Sequence, residues 1–115
     1  MITQVAQDIN TLKQRIQEGL EGLLPFTATP GNGITRLPFT KETRDAAEHL
    51  KKYMAEAGLT VREDEAGNLI GVMEGENPDL PALVVGSHVD SVVNGGAFDG
   101  QAGRMAGVEV ARRRP

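Results

Sequence analysis

The sequence contains no cysteine and no tryptophan, and aromatic residues make up only 3% of it. Without cysteine there is no disulfide framework and no thiolate chemistry. With so few aromatic side chains, any core must depend on Leu, Val, Ile, Ala and Met. No apolar run is long enough to span a bilayer, and the first residues lack the basic-then-apolar pattern of a signal peptide. We therefore expect a cytoplasmic protein with no membrane partner.

An excess of positive charge is also lacking, because 16 acidic residues outnumber 12 basic ones and the formal net charge is −4. This balance argues against a nucleic-acid partner. The one basic cluster, residues 112–114, is typical of a solvated terminus. A length of 115 residues, with 39% apolar and 24% charged side chains, suits one small globular domain or part of a larger one.

Three segments have the pattern of helices. Apolar residues recur at steps of three and four from Val5 to Leu23, on one stripe, until Pro25 ends the pattern. A second helix is predicted from a Thr40 cap to a stop at Gly58, and a third over residues 100–112. The intervening residues 25–39 form a long loop, and such loops are often functional. A plain wrap over the surface is the alternative.

Strand patterns fill the middle of the chain. Leu59 to Glu63 and Leu69 to Met73 flank a turn at residues 66–68, which predicts a hairpin. The continuous apolar run from Ala82 to Val85 predicts a strand covered on both faces. The alternation of helices and strands predicts an α/β fold, a partial three-layer αβα domain with a mixed sheet. Sites in such folds lie beyond the carboxyl ends of strands, where His88 falls.

The stretch from residue 86 to residue 100 concentrates the chemistry-bearing side chains. His88 and Asp90 are two residues apart, so both point to one side of an extended chain. The Asn94-Gly95-Gly96 turn lets the backbone fold back and brings Asp99 near His88. One imidazole and two carboxylates suit zinc or manganese. The alternative is a strand-end histidine, an aspartate that caps a turn and an ordinary turn.

The same stretch resembles the metal-binding motif of a family of metallohydrolases. The matching residues are Gly86-Ser-His88-x-Asp90-Ser and Asn94-Gly-Gly-x-Phe98-Asp99-Gly100. Three further stretches fit the same branch: Gly33-Ile-Thr-Arg-Leu-Pro-Phe-Thr40, Met54-Ala-Glu-Ala-Gly-Leu59 and Asp64-Glu-Ala-Gly-Asn-Leu-Ile-Gly71. The branch is that of the N-carbamoyl-L-amino-acid hydrolases, allantoate amidohydrolases and β-ureidopropionases (the hydantoinase/carbamoylase family), within the co-catalytic zinc aminopeptidase-like metallohydrolases. The resemblance runs in order along nearly the whole chain.

The resemblance implies roles for individual residues. His88 would bind one zinc or manganese ion, Asp99 would bridge two, and Asp90 would orient His88. Gly95, Gly96 and Gly100 would give the loop its backbone freedom. Water activated by the metal would attack a carbamoyl or amidine carbon of a small-molecule substrate and release ammonia and carbon dioxide, or a related fragment.

The resemblance also implies that residues 1–115 are the N-terminal portion of a catalytic domain. The family's Glu-Glu pair, which includes the general base, its two later histidines and its lid and dimerisation domain have no counterpart here. We therefore expect weak or absent metal binding and an inactive isolated chain, in which non-specific self-association replaces the family's homodimer. Arg104 departs from the family's usual apolar residue. A non-catalytic α/β module and a decayed remnant are the alternative interpretations.

Overall fold

The structure is a computed structural model that describes the backbone of residues 2–113 and the side chains of residues 7–113. It contains three helices and two strands in the order α1, α2, β1, β2, α3. Their bounds are Ile2–Glu21 for α1, Lys41–Glu56 for α2, Thr60–Glu63 for β1, Leu69–Val72 for β2 and Gln101–Arg112 for α3. The predicted contributions of Val5 to the apolar stripe and of Arg114 to a basic tail lie outside the described side chains.

Local signals set the ends of the helices much as the sequence predicts. The α1 helix ends at Glu21, and hydrogen-bonded turns carry the chain on to Pro25. The α2 helix begins after Thr40, whose hydroxyl accepts from the backbone N–H of Thr43, so one otherwise unpaired helical donor is satisfied. It is followed by Gly58 at φ 93°, a backbone conformation that glycine adopts without strain.

The predicted hairpin is confirmed. Strands β1 and β2 pair antiparallel, with Thr60 opposite Val72 and Glu63 opposite Leu69. The Asp64 carboxylate closes the turn, because it accepts from the backbone N–H groups of Ala66 and Asn68. These hydrogen bonds, together with the Asn68 side-chain amide, keep the pKa of Asp64 below its ordinary value.

The predicted strand from Ala82 to Val85 is wrong for this structure. Its residues have no regular secondary structure, and the backbone groups of residues 82–87 make no hydrogen bond within the described part of the chain. Leu83 is 91% exposed and Val84 83% exposed. A strand exists only when a neighbouring strand pairs with it, and none of the described residues supplies one. The α/β class is confirmed, but the sheet here has two antiparallel strands rather than a mixed set.

The core lies between the three helices and the hairpin. One buried cluster joins the turn after α1 to α2 and α3 through Leu23, Ala46, Leu50 and Met105, and Ile16 and Leu20 of α1 pack against it. A second cluster joins α2, α3 and the hairpin through Met54, Ala57 and Val108. Aliphatic side chains and methionine therefore make the buried clusters, as the shortage of aromatic residues predicts. None of the described helices is long and apolar enough to cross a membrane.

A buried charge cluster ties α3 to the other two helices. Glu109, 1% exposed, lies 3.7 Å from the Arg15 Nε of α1 and 3.2 Å from the Arg112 Nε of α3. The Arg112 guanidinium also stacks over the Tyr53 ring of α2 at 5.5 Å. Burial, helped by the Glu109 charge, raises the pKa of Tyr53. This cluster fixes the orientation of α3, whose first turn adjoins the candidate site.

Candidate metal centre

The candidate site lies in the loop that connects residues 82–87 to α3. Residues 82–87, called here the unpaired segment, make no backbone hydrogen bond within the described part of the chain. The segment runs along α3 at two glycines, because a Cβ on Gly107 would lie 3.1 Å from Val85 and one on Gly103 would lie 3.5 Å from the Ser87 hydroxyl. This close approach carries the chain to His88 beside the start of α3. The loop that follows then returns to Asp99, two residues before the helix begins.

The imidazole of His88 lies between two carboxylates. Its Nδ1 is 2.9 Å from the backbone oxygen of Asp90 and 3.4 Å from that residue's carboxylate. Its Nε2 is 3.4 Å from the Asp99 carboxylate. A carbonyl oxygen only accepts hydrogen bonds, so the 2.9 Å contact favours the neutral tautomer with the proton on Nδ1 and the Nε2 lone pair on the Asp99 side. The structure thus brings together the three side chains that the sequence singles out.

Gly100 lies directly against the His88 ring. A Cβ built there would come within 2.5 to 2.7 Å of three ring atoms, closer than real carbon atoms approach. Its φ of 72° is also a conformation that residues with a side chain adopt only at a cost. Gly100 therefore lets the helix start pack under the imidazole, and the backbone role expected for it has two separate physical reasons.

Gly95 and Gly96, which are also expected to give the loop its backbone freedom, do not adopt the conformations that need glycine. Neither Gly95 nor Gly96 has a positive φ, and the left-handed conformation falls on Asn94 at φ 52° instead. A Cβ on Gly95 would lie 3.3 Å from a Val92 methyl group and 3.4 Å from the Ile34 carbonyl oxygen, which is close contact without a severe clash. A Cβ on Gly96 would meet nothing within 4 Å. The turn therefore needs backbone freedom at Asn94, a residue type that tolerates this region.

Two long side chains hold the backbone next to His88. The Val89 carbonyl accepts from Arg36 Nη1 at 3.2 Å and from Gln101 Nε2 at 3.0 Å. Arg36 is 1% exposed and donates also to the carbonyls of Phe26 at 2.8 Å and Leu23 at 2.6 Å. Burial lowers the pKa of Arg36. Through these hydrogen bonds the Arg36 side chain links the end of α1, the loop of residues 25–39 and the candidate site.

The long loop of residues 25–39 forms one wall of the site. Ile34 and Gly95 exchange two backbone hydrogen bonds of 2.8 Å. The Ser91 hydroxyl donates to the Ile34 carbonyl at 2.8 Å and accepts from the Arg36 backbone N–H at 2.9 Å. The loop is therefore more than a surface wrap, because it pairs with the chain between Asp90 and Asp99.

Arg104 reaches the site from α3. Its Nη2 donates to the His88 carbonyl at 2.7 Å and also contacts the Gln101 side-chain oxygen. Its Nε and Nη1 are buried without a hydrogen-bond partner among the described residues. Burial, with a smaller contribution from the positive charge of Arg36, lowers the pKa of Arg104 to about 10. The cost of burying part of this charge is therefore only partly offset by its hydrogen bonds.

The donor set at His88 fits a metal ion in part. The Nε2 lone pair and the Asp99 carboxylate are adjacent, and nitrogen with oxygen ligands suits zinc or manganese. The described residues contain no group of three or more potential ligands that could hold an ion, because Asp90 lies on the Nδ1 side of the ring. His49 is elsewhere, half-buried with its ring 5.4 Å from that of Phe26.

Comparison with known proteins identifies relatives by sequence and by fold. The chain is 52% identical over 99 residues to the N-carbamoyl-L-amino acid amidohydrolase of Geobacillus stearothermophilus, covering 86% of this chain and 24% of that protein. It is 43% identical over 98 residues to the allantoate amidohydrolase of Escherichia coli strain K12, covering 85% of this chain and 24% of that one. The solved structure of a hydantoinase/carbamoylase family amidase from Burkholderia ambifaria matches with a TM-score of 0.80 and 34% identity, over 86% of this chain and 24% of that one.

Over most of its own length the chain is similar to members of the hydantoinase/carbamoylase family. No family model matches it, so the assignment rests on the individual relatives. The chain spans about a quarter, 24%, of the length of the hydantoinase/carbamoylase relatives it matches. The family resemblance found in the sequence is thereby confirmed, while the roles of the individual site residues stay predictions.

Sequence reasoning missed two residues that build this part of the hydantoinase/carbamoylase fold. Arg36 stands in a stretch that resembles the family, but nothing local reveals that it reaches Val89, 53 residues away. Gln101 at the start of α3 gives no signal either. The hint that the sequence offers of a buried cation is a basic residue with Ile34 two positions before it and Leu37 directly after it, inside a loop.

Proposed function

We propose that the chain supplies part of the metal site of an amidohydrolase that cleaves C–N bonds other than peptide bonds. Its substrates would be N-carbamoyl amino acids or linear ureides such as allantoate. The observation that carries the proposal is the His88 ring, held by Asp90 on one nitrogen and facing Asp99 with the other, in a chain similar to carbamoyl-amino-acid and allantoate amidohydrolases.

In this proposal His88 and Asp99 hold the metal, and Asp90 keeps the imidazole in the tautomer that can bind it. When bound, the metal lowers the pKa of water and polarises the substrate carbonyl. Gly100 leaves room for the ring, while Arg36 and Gln101 keep the Val89 backbone in place beside it. We assign the general base to none of the described residues. Of the two carboxylates nearest the ring, Asp99 would bind the metal and Asp90 would orient the imidazole.

Zinc or manganese, a small-molecule substrate and a cytoplasmic location belong to the same proposal. The two metals are favoured by the imidazole and carboxylate donors. The small-molecule substrate is supported by relatives named for N-carbamoyl amino acids and allantoate. The choice between these substrates depends on groups that contact the substrate, and none of the residues discussed above is assigned that role.

A chimera tests the proposal. The matched segment of the Geobacillus stearothermophilus amidohydrolase, 52% identical, is replaced by the corresponding residues of this chain, and hydrolysis of N-carbamoyl amino acids is measured with added zinc or manganese. We expect metal-dependent activity that His88→Ala and Asp99→Ala each reduce by at least about 100-fold. His49→Ala is the matched control and should leave the activity within about two-fold.

The outcome that would refute the proposal is also defined. A folded, dimeric or monomeric chimera whose activity survives His88→Ala would show that this imidazole does not hold the metal. Equal loss in His88→Ala and His49→Ala would show that the substitutions act through folding and not through the site.

A further inference from the structure

Two Asn-Gly pairs occur in the chain, Asn32-Gly33 and Asn94-Gly95. In such pairs the backbone nitrogen of glycine can attack the asparagine side chain, because glycine has no Cβ to shield it, and asparagine is among the chemically labile residue types. We propose that Asn32 is a site of spontaneous deamidation in the folded chain and that the fold protects Asn94. This inference is independent of the proposed function.

At Asn32 neither the side-chain amide nor the glycine nitrogen that would attack it is hydrogen-bonded within the described part of the chain. The residue is exposed, and its backbone N–H donates to the Thr29 carbonyl at 3.0 Å. Its side-chain amide makes no hydrogen bond within the described part of the chain, and neither does the N–H of Gly33. The attack of the Gly33 nitrogen on the Asn32 side chain therefore breaks no hydrogen bond of either reacting group within the described residues.

Asn94 has the same neighbour but its reacting groups are held. The Gly95 N–H donates to the Ile34 carbonyl at 2.8 Å. The Asn94 side-chain oxygen accepts from the hydroxyls of Thr29 at 2.9 Å and Thr35 at 3.3 Å. Attack would require the Gly95 nitrogen to lose its partner and the Asn94 amide to leave both hydroxyls, and breaking these hydrogen bonds slows the reaction.

The proposed reaction balances with water as the only co-reactant. The Gly33 nitrogen gives up its proton to solvent base and forms a bond to the Asn32 Cγ. The bond from Cγ to the amide nitrogen breaks, and that nitrogen leaves as ammonia. Water then opens the cyclic imide at one of its two C–N bonds, which produces either aspartate or isoaspartate at position 32. No oxidation or reduction takes place.

The modification would alter the wall of the candidate metal centre. A Cβ on Gly33 would already lie 2.8 Å from the Gly95 carbonyl oxygen, so the backbones approach closely there. Isoaspartate adds a methylene group to the main chain immediately before Gly33, together with a negative charge. We expect this to shift Gly33 and weaken the pairing of Ile34 with Gly95.

The test is incubation of the full chain at mildly alkaline pH, natively and in concentrated urea, followed by peptide mass spectrometry. In the native chain we expect Asn32 to convert several-fold faster than Asn94, with isoaspartate as a product. In urea the two rates should become similar, because the unfolded chain retains neither set of hydrogen bonds. Equal native rates, or faster native conversion of Asn94, would overturn the inference.

Two variants sharpen the result. Asn32→Gln should remove the fast native conversion and leave Asn94 unchanged, because glutamine forms the larger ring much more slowly. Thr35→Val removes one hydroxyl from Asn94 and should speed native conversion at Asn94 without changing the Asn32 rate. If Asn32→Gln chains gain negative charge as fast as the parent chain, the reactive site is elsewhere and the inference is wrong.

Discussion

A buried arginine, Arg36, and a half-buried one, Arg104, donate hydrogen bonds to the backbone at the candidate metal centre, but their environments differ. The Arg36 guanidinium donates to three carbonyl oxygens, those of Phe26, Leu23 and Val89. Arg104 donates to the His88 carbonyl, while two of its nitrogens are buried without a partner. A buried charge stabilises a fold only when its hydrogen bonds are complete. The same substitution should therefore have opposite effects at the two positions.

We predict that Arg36→Met lowers the free energy of unfolding by about 3 kcal/mol, because several carbonyls in or near the core lose a charged donor. Urea unfolding followed by circular dichroism measures the change. An effect smaller than about 1 kcal/mol would mean that water or another donor replaces the guanidinium at the carbonyls. Arg36 would then not be needed to hold the loop of residues 25–39 against the candidate site.

Arg104→Met is the matched variant. We predict that it raises the free energy of unfolding by about 1 kcal/mol, because the two guanidinium nitrogens that are buried without a partner are removed and the aliphatic part of the side chain is kept. The His88 carbonyl then bonds to solvent, since the His88 side chain is half-exposed. A loss of stability as large as that of Arg36→Met, in the same urea experiment, would contradict this interpretation of Arg104.

At the scale of elements, the loop between α1 and α2 depends on close backbone approach. Gly31 and Gly33 both have positive φ, at 85° and 76°. A Cβ on Gly31 would meet nothing within 4 Å, whereas one on Gly33 would lie 2.8 Å from the Gly95 carbonyl oxygen. A side chain would therefore strain the backbone at either position. Only at Gly33 would it also clash with the backbone of Asn94 and Gly95.

We predict that Gly31→Ala destabilises the chain by about 1 kcal/mol, the usual cost of a side chain in the left-handed region. Gly33→Ala should cost clearly more, about 2–3 kcal/mol, because the clash adds to the strain. Thermal unfolding of both variants gives the comparison. Equal losses would show that the Ile34 to Gly95 pairing adapts without cost.

Elements with local causes could be predicted from the sequence. The Thr40 cap, the stop at Gly58 and the turn closed by Asp64 each depend on residues only a few positions apart. The segment from Ala82 to Val85 has an equally clear strand pattern, yet pairing needs a partner strand from elsewhere. The pattern therefore indicates which residues suit a strand but not whether a partner is present.

In the candidate site, too, the contacts with local causes could be predicted and those between distant residues could not. The approach of Asp90 and Asp99 to His88 follows from spacing and from a turn, so the sequence predicts it. The positions of Arg36 and Gln101 on the Val89 carbonyl depend on how α1, the loop and α3 pack together. Such contacts between distant residues leave no periodic or local signal in a single sequence.

On the scale of the whole molecule, the unpaired segment is an exposed apolar edge. Leu83, Val84 and Val85 are all more than half exposed, and their backbone groups are unpaired within the described residues. Unpaired edges of β-prone, uncharged residues promote association. We predict that the chain self-associates in size-exclusion chromatography as its concentration rises.

Val84→Lys should reduce this association. If the segments of two chains paired as strands, the lysine of each chain would be buried in the contact. Val110→Lys, at another exposed valine with 59% exposure, is the control and should change the elution little. A parent chain that stays monomeric and unfolds in one steep transition at high urea would contradict the prediction and favour a free-standing module.

The isolated chain should also lack hydrolase activity. Its described residues place two metal donors, His88 and Asp99, next to each other, while zinc sites use three or four protein ligands. We predict no turnover of N-carbamoyl amino acids or allantoate above the rate without protein, measured as ammonia release with added zinc or manganese. Metal-dependent turnover that His88→Ala abolishes would show that the prediction is wrong.

The central claim is that the fold holds His88 with Nδ1 bound to Asp90 and Nε2 free to face Asp99. Nitrogen-15 NMR of the histidine rings, at a pH where they are neutral, reports which nitrogen carries the proton. We predict that neutral His88 is protonated on Nδ1, and that Asp99→Asn leaves this tautomer unchanged. A ring protonated on Nε2 in the folded chain would contradict the account, because the lone pair would then point to Asp90 and away from the proposed metal position.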